Sequence, residues 1–387
     1  MFALAVKNIL NTFRGWVALL GFSIMVALAV LSWSLVREIS TGALNNIAYY
    51  RSGHLRVVDR RFSDQLLPLN RAFPKYLEVE KIAAQYPGIK AQAERIEVRL
   101  LLQHQGRSAQ ARGIAIDAIR EHPPWRTLAG RQVGVSDKEL VIGARLAKKL
   151  AVGLNDTLTI VTPNSLGSLA VFDLKVVGIF SSGSTTIDES YFFFPLAAAQ
   201  SAFDLNGKVS EVVIYLRDAR LAGEAAEFIN AELGRVAPGQ FKVIPWERDE
   251  AVVWLEKGEL IGWLVGGLCF FLGCTIIYNF FSAGVAGRDP EIAALKRLGV
   301  KKGEMIRLLI IEATILGLLA GAIGGLVAYV AAQFLSGQQI SIGWMNLQYV
   351  QTEIEIGPRL PDLLKGIVGS VLFSWLGIIL PAWRGVK

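Results

Sequence analysis

The chain has 387 residues, of which 52% are hydrophobic and only 19% charged, and its mean hydropathy is +0.42. Soluble domains carry about 25% charged residues, and here the apolar residues gather into blocks with the charges between them, which excludes an ordinary soluble globule. The net charge of +7 comes from basic residues beside those blocks, a pattern that membrane topology accounts for and nucleic-acid binding does not.

Residues 1–14 come first. Phe2, Val6, Ile9, Leu10 and Phe13 fall on one helical face opposite Lys7, Asn11 and Arg14. That is the pattern of an amphipathic helix along the inner membrane surface; simple continuation of the next segment is the competing reading. A bilayer core of ~30 Å needs about 20 apolar residues in a helix, and residues 15–36, bracketed by Arg14 and Arg37, supply the first span. Its uncharged run exceeds the roughly 7–15 residues of a signal-peptide core, and no A-x-A cleavage site follows, so an uncleaved anchor is expected. The helix is expected to continue outward through Ile47 as a stalk.

Residues 37–259 read as a mixed α/β domain. Alternation marks strands at Leu55–Val58, Ile96–Leu102, Leu158–Val161, Phe172–Ile179 and Val212–Leu216. Helical patterns appear at Lys75–Gln85, Gly143–Leu150, Leu196–Phe203 and Ala219–Leu233. The region has no cysteine, so it must stand on a hydrophobic core. His54, His104 and His122 lack metal-ligand spacing, and Asp188-Glu189 reads as a solvated loop pair rather than a catalytic one. No GxxxxGK[ST] occurs, so the chain is not itself a P-loop ATPase. The domain binds or transmits.

The second span is 260–287. It holds Cys269 and Cys274, five apart and therefore on different helical sides, which reads as apolar filling and not as a metal site or disulfide. The loop 288–307 carries Arg288, Lys296, Arg297, Lys301, Lys302 and Arg307. The third span, 308–335, is interrupted only by Glu312, which with Arg307 can pair or snorkel at the inner interface. Gly317, Gly321, Gly324 and Gly325 on it permit close helix approach, or reflect ordinary membrane-helix composition. The loop 336–362 has Arg359 as its only basic residue, and 363–387 holds the fourth span, with Pro381 near its end. The positive-inside rule then places both termini and the basic loop in the cytoplasm and 37–259 outside. The expected fold class is an α-helical membrane protein with four transmembrane helices and an extracytoplasmic mixed α/β domain inserted between the first two.

The sharpest local signal is Arg288–Val300. Asp289 can cap a helix, Pro290 suits its first position, and Glu291 complements its dipole. Gly299 ends it, and Ile292, Leu295 and Leu298 make an apolar stripe beside Lys296. Such a stripe wants a partner; packing on the chain's own helices or the membrane surface is the plainer alternative.

Asp289–Gly299, followed by Lys301, Arg307 and the run Glu312-Ala-Thr-Ile-Leu-Gly-Leu-Leu-Ala-Gly-Ala-Ile-Gly-Gly, resembles the coupling-helix region of FtsX/MacB-type (type VII) ABC transporter permeases. The order of one span, an outer domain and three spans is also that family's. The outer domain looks most like the lipoprotein-releasing LolC/LolE branch. The carrying residues are Ser52–Val57, Gly113–Asp117, Val141–Ala147 with Leu154–Asp156, Val176–Phe180 with Asp188, and Pro245–Glu247.

The resemblance implies a permease subunit in a bacterial inner membrane that is not itself an enzyme. ATP and Mg would be bound by a partner ATPase dimer, and this chain would hold no cofactor. Asp289, Pro290, Glu291, Ile292, Leu295, Lys296, Leu298 and Gly299 would dock on that ATPase. A second permease chain, identical or homologous, would complete the membrane assembly. The implied substrate is a lipoprotein or other amphiphile, and because the first two spans frame substrate access in the family, Phe22, Met25, Phe271 and Ile277 become candidates for its face. Two alternatives stand: a MacB/DevC-like efflux permease with a periplasmic adaptor, and an FtsX-like regulator of an outer enzyme that transports nothing. An outer domain of this size fits the transporting types better than the smaller regulatory one. The chain departs from the lipoprotein-releasing pattern at Thr162–Ala170, which is short where that branch has a protruding chaperone hook. It also ends at Lys387 without the family's usual tail, so truncation is one reading of its C-terminus.

Overall fold

A computed structural model describes residues 12–61, 69–74, 76–121, 125–134, 136–163, 168–287, 302–335, 349–350 and 356–386. The chain divides into two compact units: residues 1–40, 256–340 and 354–387 in one, 41–255 with 341–353 in the other.

The first helix, α1 (Phe13–Ile47), continues as a π-helical turn over Ala48–Ser52. It stops at Gly53, whose φ is +62°. A Cβ there would lie 2.9 Å from the Leu55 carbonyl oxygen and 3.0 Å from that of Ile214, so only glycine lets the chain turn from helix directly into a strand.

In the second unit that strand is β1 (Leu55–Asp59), followed by α2 (Tyr76–Ala83), β2 (Ile89–His104), β3 (Arg107–Ile116), β4 (Arg126–Gly130) and β5 (Glu139–Gly143). Then come α3 (Ala144–Leu150), β6 (Thr157–Pro163), β7 (Leu169–Ser181), α4 (Thr185–Ser190), β8 (Tyr191–Pro195) and α5 (Leu196–Ala202). The unit closes with β9 (Glu211–Leu216), α6 (Ala222–Val236) and β10 (Phe241–Pro245). The strands form one ten-stranded mixed sheet in the order β10-β1-β9-β2-β3-β8-β5-β7-β4, with β6 bridging β2 and β7.

Strand parity gives the sheet two different faces. One carries Ile96, Val98, Leu100, Phe192 and Phe194 under α3 and α5, and Val57, Val212 and Ile214 under α2 and α6. The other carries Ile114, Ile116, Tyr191 and Phe193, and on it pack Ile47 and Tyr50 from the end of α1.

Every strand and helix expected in this region coincides with an observed one. The strands missing from the sequence reading are β3, β4, β5, β8 and β10. Strands β5 and β8 are buried along their whole length, so apart from Glu139, which pairs with Arg131, they read as short apolar runs without alternation. Strands β4 and β10 are short edges, where the pattern has little length in which to register. The pair Asp188-Glu189 also needs correction: it lies in α4, not a loop, and only Glu189 is solvated. Asp188 is buried, accepting from Ser182 N and Ser182 Oγ at 2.7 Å each and from Ser181 Oγ at 2.8 Å.

The first unit holds α1 up to Ser40 together with α7 (Glu250–Gly287, from Glu256), α8 (Lys302–Leu335) and α9 (Leu360–Val386). All four helices are long and apolar enough to cross a membrane. Helix α7 begins ten residues before the expected start of the second span. Phe22, Val26, Val30, Phe270, Ile277, Leu316 and Ile378 are buried between the helices. Glycines set their spacing. Added Cβ atoms at Gly317 and Gly321 would lie 2.9 Å from Cα of Val371 and of Ile367 on α9, and one at Gly324 would lie 2.6 Å from the Ser23 carbonyl on α1. Gly325 meets only Leu363 Cδ2, at 3.4 Å. Ser370 and Ser374 of α9 donate to the carbonyls of Gly317 and Ala313 at 2.7 and 2.9 Å. At the end of α1 nearest Ser40, Arg37 pairs with Asp362 and Glu38 with Arg359, closing the α1–α9 edge with mutually neutralised charges.

Candidate functional site

Pairing register places Arg56 of β1, Glu211 of β9, Arg95 and Glu97 of β2 and Arg112 of β3 on the sheet face that receives α1. Arg95 is fully buried. Its Nε donates to Glu121 Oε2 at 3.0 Å, and its Nη2 donates to the Tyr49 carbonyl at 2.8 Å and the Tyr215 hydroxyl at 2.7 Å. Tyr215 in turn donates to Glu121 at 2.9 Å. Tyr49 belongs to the turn that ends the first helix, so a guanidinium on the sheet holds the helix terminus by its backbone. Next along, Arg112 lies 3.0 Å from Glu97 and donates to the Tyr191 hydroxyl at 3.0 Å.

These groups are three guanidiniums, Arg56, Arg95 and Arg112, against three carboxylates, Glu97, Glu121 and Glu211. The set is neutral when all are ionised, which is the condition for burying charge at tolerable cost. Glu211 sits nearest the limit. Burial first, and then the Glu97 carboxylate, push its own carboxyl up to about 7, against the pull of Arg56 and Arg95. Burial also raises the Asp188 carboxyl, while the Ser182 and Ser181 donors oppose the rise.

The roots of two long helices meet at this face. Arg51, at the end of the first helix, lies 2.6 Å from Asp249, the residue before α7. Val252 of α7 packs in the same apolar cluster as Ile47, Tyr50 and Phe193. A half-buried ion pair contributes on the order of 1 kcal/mol, whereas each buried Ile, Phe or Val side chain contributes about 1.5–3 kcal/mol. Apolar packing therefore anchors the roots, and the ion pair fixes their register.

Two comparisons bear on what such roots serve. Residues 16–232 match the family model of the MacB-like periplasmic core domain, and residues 263–387 match that of the FtsX-like permease C-terminal domain. The chain belongs to the FtsX/MacB-type family of ABC transporter permeases.

The permease is 22% identical over 263 residues to the lipoprotein-releasing system transmembrane protein LolC of Xylella fastidiosa, a match covering 64% of this chain and 62% of that one. It is 24% identical over 253 residues to the ABC transporter permease YknZ of Bacillus subtilis, covering 63% and 59%. The chain thus spans about 60% of the length of these curated relatives. Among solved structures, it is similar to the periplasmic region of MacB from Actinobacillus actinomycetemcomitans, with a TM-score of 0.39 and 12% identity over 57% of this chain and 95% of that one. The extracellular domain of YknZ from Gram-positive bacteria gives a TM-score of 0.36 at 13% identity, over 49% and 98%.

The residues singled out for ATPase docking, Asp289, Pro290, Glu291, Ile292, Leu295, Lys296, Leu298 and Gly299, lie outside the described residues, as do Phe2 to Leu10 of the N-terminal pattern and His122. Of the four residues considered for a substrate face, Phe22 and Ile277 are fully buried between the permease's helices, Met25 is partly buried, and Phe271 is 61% exposed on the outer surface of α7. Phe22, Met25 and Ile277 share one apolar cluster between the helices, and Phe271 lies apart from it. His54 serves the sheet itself, since its Nδ1 accepts from Leu216 N at 2.9 Å, and burial lowers its basicity. His104 Nδ1 lies 3.0 Å from the Thr157 carbonyl across the β2–β6 pairing. Arg51, Asp249 and Arg95 escaped the sequence reading. The available signal was a basic residue just after the first apolar helix and an acidic one just before the second, at chain positions that the fold joins.

Proposed function

We propose that this permease couples ATP hydrolysis by a separate ATPase subunit to movement of its extracytoplasmic domain, so that a lipoprotein or other amphiphilic substrate leaves the inner membrane. The observation that carries the reading is the path of α1 and α7. Each is one continuous helix with residues in both units, and the two end on the domain's sheet at the Arg51–Asp249 pair. A helix transmits displacement along its axis, so α1 and α7 are the path by which a push from the cytoplasmic side would reach the sheet. Segment 288–300 follows α7 directly, and its Ile292, Leu295 and Leu298 stripe is the surface for the ATPase. ATP and Mg²⁺ belong to that partner. Two permease chains and two ATPase subunits make the working assembly. Likeness to LolC supports the substrate class, and independence from a periplasmic adaptor separates this reading from efflux.

The test is the pair Ile292→Asp and Leu295→Asp in the full chain. The doubly substituted permease should insert in the membrane at wild-type level and lose its co-purifying ATPase. Retention of the ATPase would overturn the docking assignment.

A further inference from the structure

The sheet face that bears Arg95, Glu97 and Arg112 continues along β2 to Arg99 and Leu101, two and four residues beyond Glu97. Arg99 stands directly opposite Arg112 of β3 in the antiparallel register, and like charges so placed destabilise a sheet. Arg112 is compensated, by Glu97 at 3.0 Å and by the Tyr191 hydroxyl that accepts from it at 3.0 Å. Arg99 is exposed, and among the described residues nothing pairs with it. Both arginines line a cleft of about 610 Å³, a size within the ~300–1,000 Å³ of small-molecule sites.

One step further along the strands the charge stops. Leu101 of β2, Val161 of β6 and Val171 of β7 stand opposite one another in register. They make an apolar row across three strands, ~10 Å long at the usual strand spacing. Leu101 is 37% exposed and Val171 58%, and Leu101 and Val161 line the cleft together with the arginines. A contiguous exposed apolar row marks a contact surface. With a cationic pair at one end and this row beside it, the cleft has the polarity of an anionic amphiphile.

We propose that the cleft binds the anionic head of an amphiphile, a carboxylate or phosphate joined to an alkyl chain. The head lies on Arg99 and Arg112, and the chain follows Leu101, Val161 and Val171. An anion there cancels the repulsion that the strand register builds in, and a guanidinium offers a carboxylate or phosphate two parallel N–H donors. Glu97 already offsets Arg112, so the charge left to satisfy is that of Arg99. The inference extends the amphiphilic-substrate reading by giving the substrate a charge, and it rests on that reading only for the source of the ligand.

The experiment uses the full chain in phosphatidylcholine nanodiscs, without ATPase or nucleotide. Cys269 and Cys274 are replaced by alanine, and a reporter thiol is placed in the cleft by Gln110→Cys. Arg220→Cys, at an exposed position away from the cleft lining, is the control. The measured quantity is the rate of alkylation by N-ethylmaleimide, a neutral reagent. Hexyl phosphate should slow the Gln110→Cys reaction at least fivefold and saturably, and leave the Arg220→Cys rate unchanged. Inorganic phosphate and hexanol, which separate the anion from the chain, should each slow it less than twofold at the same concentration. Arg99→Gln should abolish the protection without lowering the thermal midpoint, because it removes one of two like charges; a merely structural arginine would lower it. Leu101→Asn should reduce protection by hexyl phosphate to that given by inorganic phosphate. Absence of protection, or equal protection with Arg99→Gln, overturns the proposal. Equal protection by inorganic phosphate also overturns it, in favour of a site for the free anion. The assay contains no ATPase, so these outcomes leave the coupling reading standing, and failure of ATPase docking leaves the cleft assignment intact.

Discussion

Glu211 illustrates how a single residue acquires its character from the fold. In the sequence it is one glutamate before an alternating apolar run, and nothing distinguishes it from a solvated strand end. Pairing with Arg95 and Val58 turns it onto the face that α1 covers, where Glu97 and Glu121 crowd it and Arg56 and Arg95 partly compensate. Its folded carboxyl titrates near 7, above the unfolded value of 4.5. The folded state therefore binds this proton more tightly, and stability from this group is complete below about pH 4.5 and lost as pH rises through 7. Glu211→Gln should flatten that decline, recovering on the order of 1–3 kcal/mol at pH 8. Thermal unfolding of both proteins at pH values from 4.5 to 8 checks it, and parallel pH profiles would refute the assignment. Arg51 and Asp249 show the same dependence on context, being nearly 200 positions apart in sequence and a hydrogen-bond length apart in the fold.

At the scale of elements, the apolar runs made the four long helices legible, because nothing else satisfies backbone groups over such a length in lipid. The glycine stripe on the third span was legible as a feature but ambiguous in meaning. Packing separates its members: Gly317 and Gly321 admit α9, Gly324 admits α1, and Gly325 meets a flexible side chain only. Gly324→Val places branched carbons against the Ser23 carbonyl and Val26 Cβ, so the helices must part or bend, at roughly 1–3 kcal/mol. Gly325→Ala should be close to neutral. Thermal midpoints of the two variants in the same detergent give the comparison, and equal midpoints would show that the spacing is not set by Gly324. In the outer domain, half-exposed strands such as β6 and β7 announced themselves by alternation. Strands β5 and β8 could not, since both of their faces are core.

For the molecule as a whole, the distribution of basic residues makes a prediction that hydropathy cannot. Arg288, Lys296, Arg297, Lys301, Lys302 and Arg307 lie between the second and third spans, which by the positive-inside rule puts the α/β domain on the opposite side. An alkaline phosphatase reporter fused after Leu150 should be active outside the cytoplasm, and cytoplasmic activity of a green-fluorescent fusion at the same site would reverse the topology. By itself, the sequence determined the four apolar helices, the mixed α/β insert, the basic loop between the second and third spans and the resemblance to the family that the matches over 16–232 and 263–387 show. Those are local properties, carried by windows of tens of residues in which composition and periodicity suffice. Tertiary structure alone decided that Arg51 and Asp249 meet, that Asp188 is buried, and which helix each glycine admits. Those contacts join positions far apart in the chain, and strand register and helix packing, not local pattern, determine which of them form.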